Sequence, residues 1–246
     1  MAIRPLALPN EHGGWGFILE PIVLGLLVAP SSAGLLMGIG VLAAFLTRHP
    51  LKLASADWLR RRMYPRTKIC LLLSLGYGTT AIALIVAALA LGPHIAIIPL
   101  VAGALPAAIQ FGFDARNKGR EMLAEVAGSL ASASVAAAIV IAGGGSPWIA
   151  LALSVLTAAR AIPTILFVRS ALRGGTHSRS LAAHGAGILV AAALWTAGLA
   201  PGAAIVAMCI LLVRAALTRP ATPAKTIGLR ELAYGAAFVL TVGLTY

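Results

Sequence analysis

Residues 60–93 read RRRMYPRTKICLLLSLGYGTTAIALIVAALALGP. Arg60, Arg61, Arg62, Arg66 and Lys68 come first, the apolar run 69–91 follows, and Gly92-Pro93 ends it. A bilayer's hydrocarbon core takes about 20 apolar residues in helical form, and this run supplies them. Its residues do not alternate apolar and polar, as a membrane barrel strand requires. A basic cluster at one end and a Gly-Pro break at the other make it a spanning helix anchored at a cation-rich face.

The same grammar repeats along the chain. Apolar runs occupy 13–29, 32–47, 69–91, 94–112, 121–142, 148–168, 181–199, 201–217 and 230–246. Turn residues separate them at Ala29-Pro30-Ser31-Ser32, Gly92-Pro93, Gly143-Gly144-Gly145-Ser146-Pro147 and Ala200-Pro201-Gly202. The expected fold is therefore an all-α membrane protein of nine transmembrane helices, one polytopic domain over 1–246. Composition agrees: 60% of the 246 residues are hydrophobic and 11% charged, against about 45–50% and 25% in soluble domains. That excludes an ordinary cytosolic enzyme and a disordered chain.

Nineteen Lys and Arg against seven Asp and Glu give a net charge of +12. Eighteen of those nineteen cations fall in alternate loops or at the helix ends beside them, and the intervening loops hold none. The positive-inside rule then puts the N-terminus in the cytoplasm and the C-terminus outside, in the inner membrane of a bacterium. The surplus charge speaks for orientation and anionic lipid, not for nucleic acid. Cys70 and Cys209 support neither a disulfide framework nor a metal motif, and Met1–Asn10 carries no cleavage pattern of a removable leader.

Charged residues within spans are functional candidates because burying them is costly. Glu20 lies eight residues in from His12, roughly 12 Å along a helix. Arg160, the nineteenth cation, lies nine residues before Arg169, roughly 13 Å deep. Matching depths predict an ion pair between the first and sixth spans, serving either a pocket or a structural clamp. Glu121 and Glu125 share a helix face, and Glu125 sits one turn deeper than an N-terminal carboxylate needs. His12, within Asn10-Glu11-His12-Gly13-Gly14-Trp15, could share a proton with Glu20 or simply hydrogen-bond at the interface. Bis-histidine haem is not expected, since no span carries two histidines at useful depth. The stretch 48–66 predicts an amphipathic surface helix through Leu51, Leu53, Trp58, Leu59 and Met63, with cations able to hold a phosphate head group.

Several of these stretches resemble the YwiC-like family of bacterial membrane proteins. They are Asn10 to Trp15, Glu20-Pro21, Arg48-His49-Pro50-Leu51-Lys52, Tyr64-Pro65-Arg66-Thr67, and Ala159-Arg160-Ala161-Ile162-Pro163-Thr164 to Arg169. The layout also resembles the UbiA superfamily of intramembrane prenyltransferases. That resemblance implies nine helices with the N-terminus inside, and aspartate-rich Mg²⁺ motifs on the second and sixth interhelical connections. Here the first of these keeps only Asp57, and the second carries Arg169, Arg173 and Arg179 with no carboxylate. Mg²⁺ is accordingly not expected, and no other cofactor is implied.

The expected function is a lipid- or isoprenoid-handling protein with a cytoplasm-facing pocket among the first, second, fifth and sixth spans. As an enzyme it would be a divergent UbiA-like transferase. Arg48, Arg66, Arg169 and Arg173 would bind a phosphate or carboxylate head, with Asp57, Asp114 and Lys118 beside them. Glu20 and Arg160 would line the pocket, and His12 or Glu125 would handle a proton. Membrane lipids are the expected partners. A small-solute or anion transporter gated by Glu20 and Arg160 is the alternative. So is a non-catalytic subunit using a small-residue seam at Ala131–Ala138 and Gly235–Ala237.

Overall fold

A computed structural model describes residues 4–9, 12–173, 178–218 and 223–246. For His12, Gly13 and Arg173 it describes the backbone alone. Among these residues there is no strand. A short turn α1 (Arg4–Ala7) precedes nine long helices: α2 (His12–Val28), α3 (Ser32–Leu59), α4 (Pro65–Leu91), α5 (Ile97–Ala115), α6 (Met122–Ala142), α7 (Pro147–Arg173), α8 (Ser178–Thr196), α9 (Ala203–Leu217) and α10 (Ala224–Gly243). A 3₁₀ turn, His94–Ala96, leads into α5.

Each apolar run of the sequence becomes one helix. Five helical segments are long and apolar enough to cross a membrane: Ser32–Leu59, Pro65–Leu91, His94–Ala115, Met122–Ala142 and Pro147–Leu172. Gly14–Val28 and Ala203–Leu217 are apolar but shorter. The remaining two, α8 and α10, are diluted by Ser178, Arg179, Ser180 and His184, and by Lys225, Arg230 and Glu231.

Connections are short, so successive helices reverse direction, and contacts among helix ends and the connections beside them mark the two ends of the bundle. At one end Arg48 of α3 meets Asp114 of α5, and Arg169 of α7 meets the Arg120 carbonyl and Glu125 of α6. This is the basic end. At the other, a Cβ on Gly92 would touch the Ala142 carbonyl, and the Tyr246 hydroxyl donates to the Leu199 carbonyl.

The central element is α6. Its residues 135–142 are all buried, while the spanning windows of α4 and α5 are mostly exposed. Alanines and serines let its neighbours approach closely. Ile139 fits against both Gly25 of α2 and Gly34 of α3, where a Cβ would come within about 3 Å of it. The small residues of 131–138 therefore pack inside the bundle rather than forming an exposed seam, with 133 and 135–138 fully buried. That packing fills the contact of the first, second and fifth spans at the end away from the basic one.

The expected surface helix over 51–63 is corrected. Residues 48–59 continue α3 without a break, through Pro50. A 28-residue helix is about 42 Å long, so its last turns stand beyond a hydrocarbon core of about 30 Å. Salt bridges hold this extension upright: Arg48 and Lys52 to Asp114, and Asp57 to Arg66 at the start of α4.

Candidate functional site

Glu20 and Arg160 are the middle residues of α2 and α7. Helix geometry thus sets both far from either end, and the structure pairs them: Arg160 Nη1 lies 2.5 Å from Glu20 Oε2. Their side chains are 2% and 11% exposed for Arg160 and Glu20 respectively. Two such charges are tolerated in a bundle only as partners. Gly235 of α10 makes the close approach possible, because a Cβ there would overlap Glu20 Oε1 and Arg160 Nη2. Arg160 Nη2 also reaches the Glu231 carbonyl at 3.4 Å, and the Phe238 ring lies 5.9 Å from the guanidinium.

A second buried pair continues from the first. Arg214 Nη1 of α9 donates to Glu231 Oε1 of α10 at 2.7 Å. The Phe167 ring lies 4.1 Å from the Arg214 guanidinium and the Tyr234 ring 5.5 Å. Aromatic faces attract a guanidinium whose hydration has been stripped away. His184 of α8 is buried nearby, its Nδ1 2.8 Å from the Ser180 carbonyl. Sequence reasoning missed Arg214, Glu231 and His184. Arg214 lies inside the apolar run 201–217, yet it reads as one more loop cation because it is near the end. Position inside a run, rather than distance to the next loop, is the signal that would have found it.

A half-open cleft of about 440 Å³ adjoins this pair. Its polar side is Arg214, Arg230 and Glu231; its apolar side includes Ile210, Val213 and Leu217. These three recur at helical spacing on α9, and all are exposed. The cleft lies among α7, α9 and α10 at the basic end, so of the four spans expected to form a pocket it includes the sixth, α7.

The basic end itself is closely paired. Asp57, fully buried, accepts from Arg66 Nη2 at 2.7 Å, Arg66 Nε at 3.2 Å and the Thr67 hydroxyl at 2.8 Å. Hydrogen bonding to Arg66 holds its carboxyl below the usual carboxylate range, and the same pairing raises Arg66. Asp114, also fully buried, takes Arg48 at 2.5 Å with Lys52 at 3.9 Å. Arg169 Nη1 meets Glu125 Oε2 at 2.8 Å. Lys118 makes an exposed pair with Glu121 at 3.5 Å and lines a surface hollow with Lys52 and Arg120. Arg48, Arg66 and Arg169, expected to hold an anion, are thus already engaged with carboxylates. The side chains of His12 and Arg173, and the whole of His177 and Arg219, lie outside the described residues.

The UbiA resemblance implies Mg²⁺, and the donor set does not fit it. Octahedral Mg²⁺ bridged to a diphosphate asks for carboxylates free to turn toward it. Asp57 and Asp114 are turned toward arginines, and no cluster of three potential ligands occurs among the described residues.

No curated protein and no solved structure matches the chain. The sequence profile described as YwiC-like protein matches residues 8–140, from before α2 to near the end of α6. That interval is over half of the 246 residues and contains Glu20, Arg48, Asp57, Arg66, Asp114 and Glu125. On that match the chain belongs to the YwiC-like proteins.

Proposed function

We propose that this YwiC-like protein spans the bacterial cytoplasmic membrane nine times, N-terminus inside and C-terminus outside. In this reading it binds an anionic amphiphile, a lipid or isoprenoid phosphate, at the cleft among α7, α9 and α10. The orientation is supported by the cations gathered at one end of the bundle. The carrying observation for the ligand is the cleft itself, which joins an exposed apolar stripe to two arginines and one glutamate. The stripe suits a chain and the surplus positive charge suits an acidic head. Arg230 is exposed at the cleft, whereas Arg48, Arg66 and Arg169, which the sequence assigned to the head, are engaged with carboxylates. A divergent UbiA-like transferase is the enzymatic form of the proposal; arginine would then stabilise a departing diphosphate without metal.

A transporter draws on the same buried charges. Against it, Leu153, Leu156, Val239 and Val242 pack the half of the bundle opposite the cleft. The test is native mass spectrometry of the protein released from mild detergent, with and without EDTA. Acidic lipid or isoprenoid-phosphate adducts should be retained in both and depleted in Arg230→Ala. Adducts that require Mg²⁺ and vanish in Asp57→Ala would overturn the proposal and restore a metal-dependent prenyltransferase.

A further inference from the structure

Around Arg160 the interior carries more polar atoms than it pairs. Arg160 Nε, Thr164 Oγ1, His184 Nε2, Arg214 Nε and Nη2, and Glu231 Oε2 are buried with no hydrogen-bond partner among the described residues. Arg160, Thr164, His184 and Arg214 are each more than nine-tenths buried. These atoms belong to one column. Arg160, Thr164 and Phe167 share a face of α7, and Phe167 stacks on Arg214 at the cleft. On α10, Glu231 and Gly235 are one turn apart, and Gly235 touches the Glu20–Arg160 pair. The column therefore runs from the cleft, past Thr164, His184 and Glu231, to Glu20 at the middle of α2.

Its chemistry suits water. The His184 Nδ1 proton goes to the Ser180 carbonyl, which leaves Nε2 of the neutral ring as an acceptor. The unpartnered set thus mixes guanidinium donors with carboxylate and imidazole acceptors, and the Thr164 hydroxyl serves as either. A buried water needs two to four such partners. Beyond the pair the column stops. Leu24 follows Glu20 by one turn, Leu156 precedes Arg160 by one turn, and Val239 and Val242 follow Gly235; all four are buried.

We propose that Glu20 is a proton-binding site in the middle of the membrane, supplied by water along this column from the cleft and closed to the opposite face. The charged groups acting on it are Arg160 from α7 and Glu231 from α10; α3 and α6, the other helices packed on α2, bring none. The proton arrives from the water column and adds to a carboxylate oxygen of Glu20, with no other covalent bond changed. Arg160, released, turns to Glu231, whose carbonyl it already reaches and whose Oε2 is unpartnered. The inference does not depend on what the cleft binds.

Two measurements on the full chain in lipid nanodiscs test it. In a background with Cys70 and Cys209 changed to alanine, Thr164→Cys and Leu156→Cys are exposed to silver ion, which is near water in size. Unblocked thiol is then counted after denaturation. Thr164→Cys should be blocked faster than Leu156→Cys by at least an order of magnitude. Infrared spectra should show a carboxylic-acid carbonyl band that grows on acidification and shifts in heavy water. Glu20→Gln should remove that band, and Glu20→Asp, which keeps a carboxyl, should move it. Equal silver reactivity at the two positions, or an acid band left whole in Glu20→Gln, overturns the proposal.

Discussion

Removing either member of the Glu20–Arg160 pair leaves the other charge without its partner inside the bundle. Glu20→Gln or Arg160→Gln alone should cost about 3–5 kcal/mol, and the double change should recover part of that loss. Thermal unfolding in detergent reads all three; losses that simply add would show the two residues are not coupled. Gly235 gives a steric companion to this test. Gly235→Ala pushes a methyl into Glu20 and Arg160 and should cost about 1–3 kcal/mol, the range for overpacking. Gly185→Ala meets nothing within 4 Å and should cost nothing measurable in the same assay. The pairing of Glu20 with Arg160 is legible in sequence because both sit alone, at matched depth, in otherwise apolar runs. Arg214 with Glu231 is less plainly legible: both lie inside their runs, but near an end, where charge is ordinary.

Among elements, α3 and α4 show what hydropathy can and cannot read. The apolar part of each helix is set by the bilayer's thickness, so the runs 32–47 and 69–91 fall inside the observed helices. The polar extension 48–59 has no such signal. It is helical because its carboxylate and cations find partners on α4 and α5, which only the folded chain brings near. The Asp57–Arg66 junction gives this extension an acid dependence. Its carboxyl is held below its ordinary value. The pair therefore stabilises fully above the unfolded value and fades as pH falls toward the folded one. Loss should begin below about pH 4, the ordinary carboxylate value. Melting of the wild type in acid buffers should show the fall, and Asp57→Asn should lack it; a fall unchanged in Asp57→Asn would place the titrating group elsewhere.

For the whole molecule, the proposed nine spans with a basic N-terminal side require that Tyr246 end on the face opposite Arg4. A reporter fused at Tyr246 should be active outside the cell membrane only; cytoplasmic activity would overturn the nine-span count. The order in which the chain is made adds something else. Glu20 is synthesised 140 residues ahead of Arg160, an interval of roughly 7–28 s at common elongation rates of about 5–20 residues per second. Throughout it α2 has an acidic group at its centre and no arginine to answer it, a penalty of about 2.5–3.5 kcal/mol on the insertion scale for Asp. The nascent first helix must therefore be held by the insertion machinery, or stay shallow, until α7 emerges. The interval 8–140, although it carries the family's signature, should for the same reason not suffice as a membrane module: a chain stopped after α6 should be poorly inserted at its first helix and cleared by proteolysis, and co-expression of the remaining helices should rescue it.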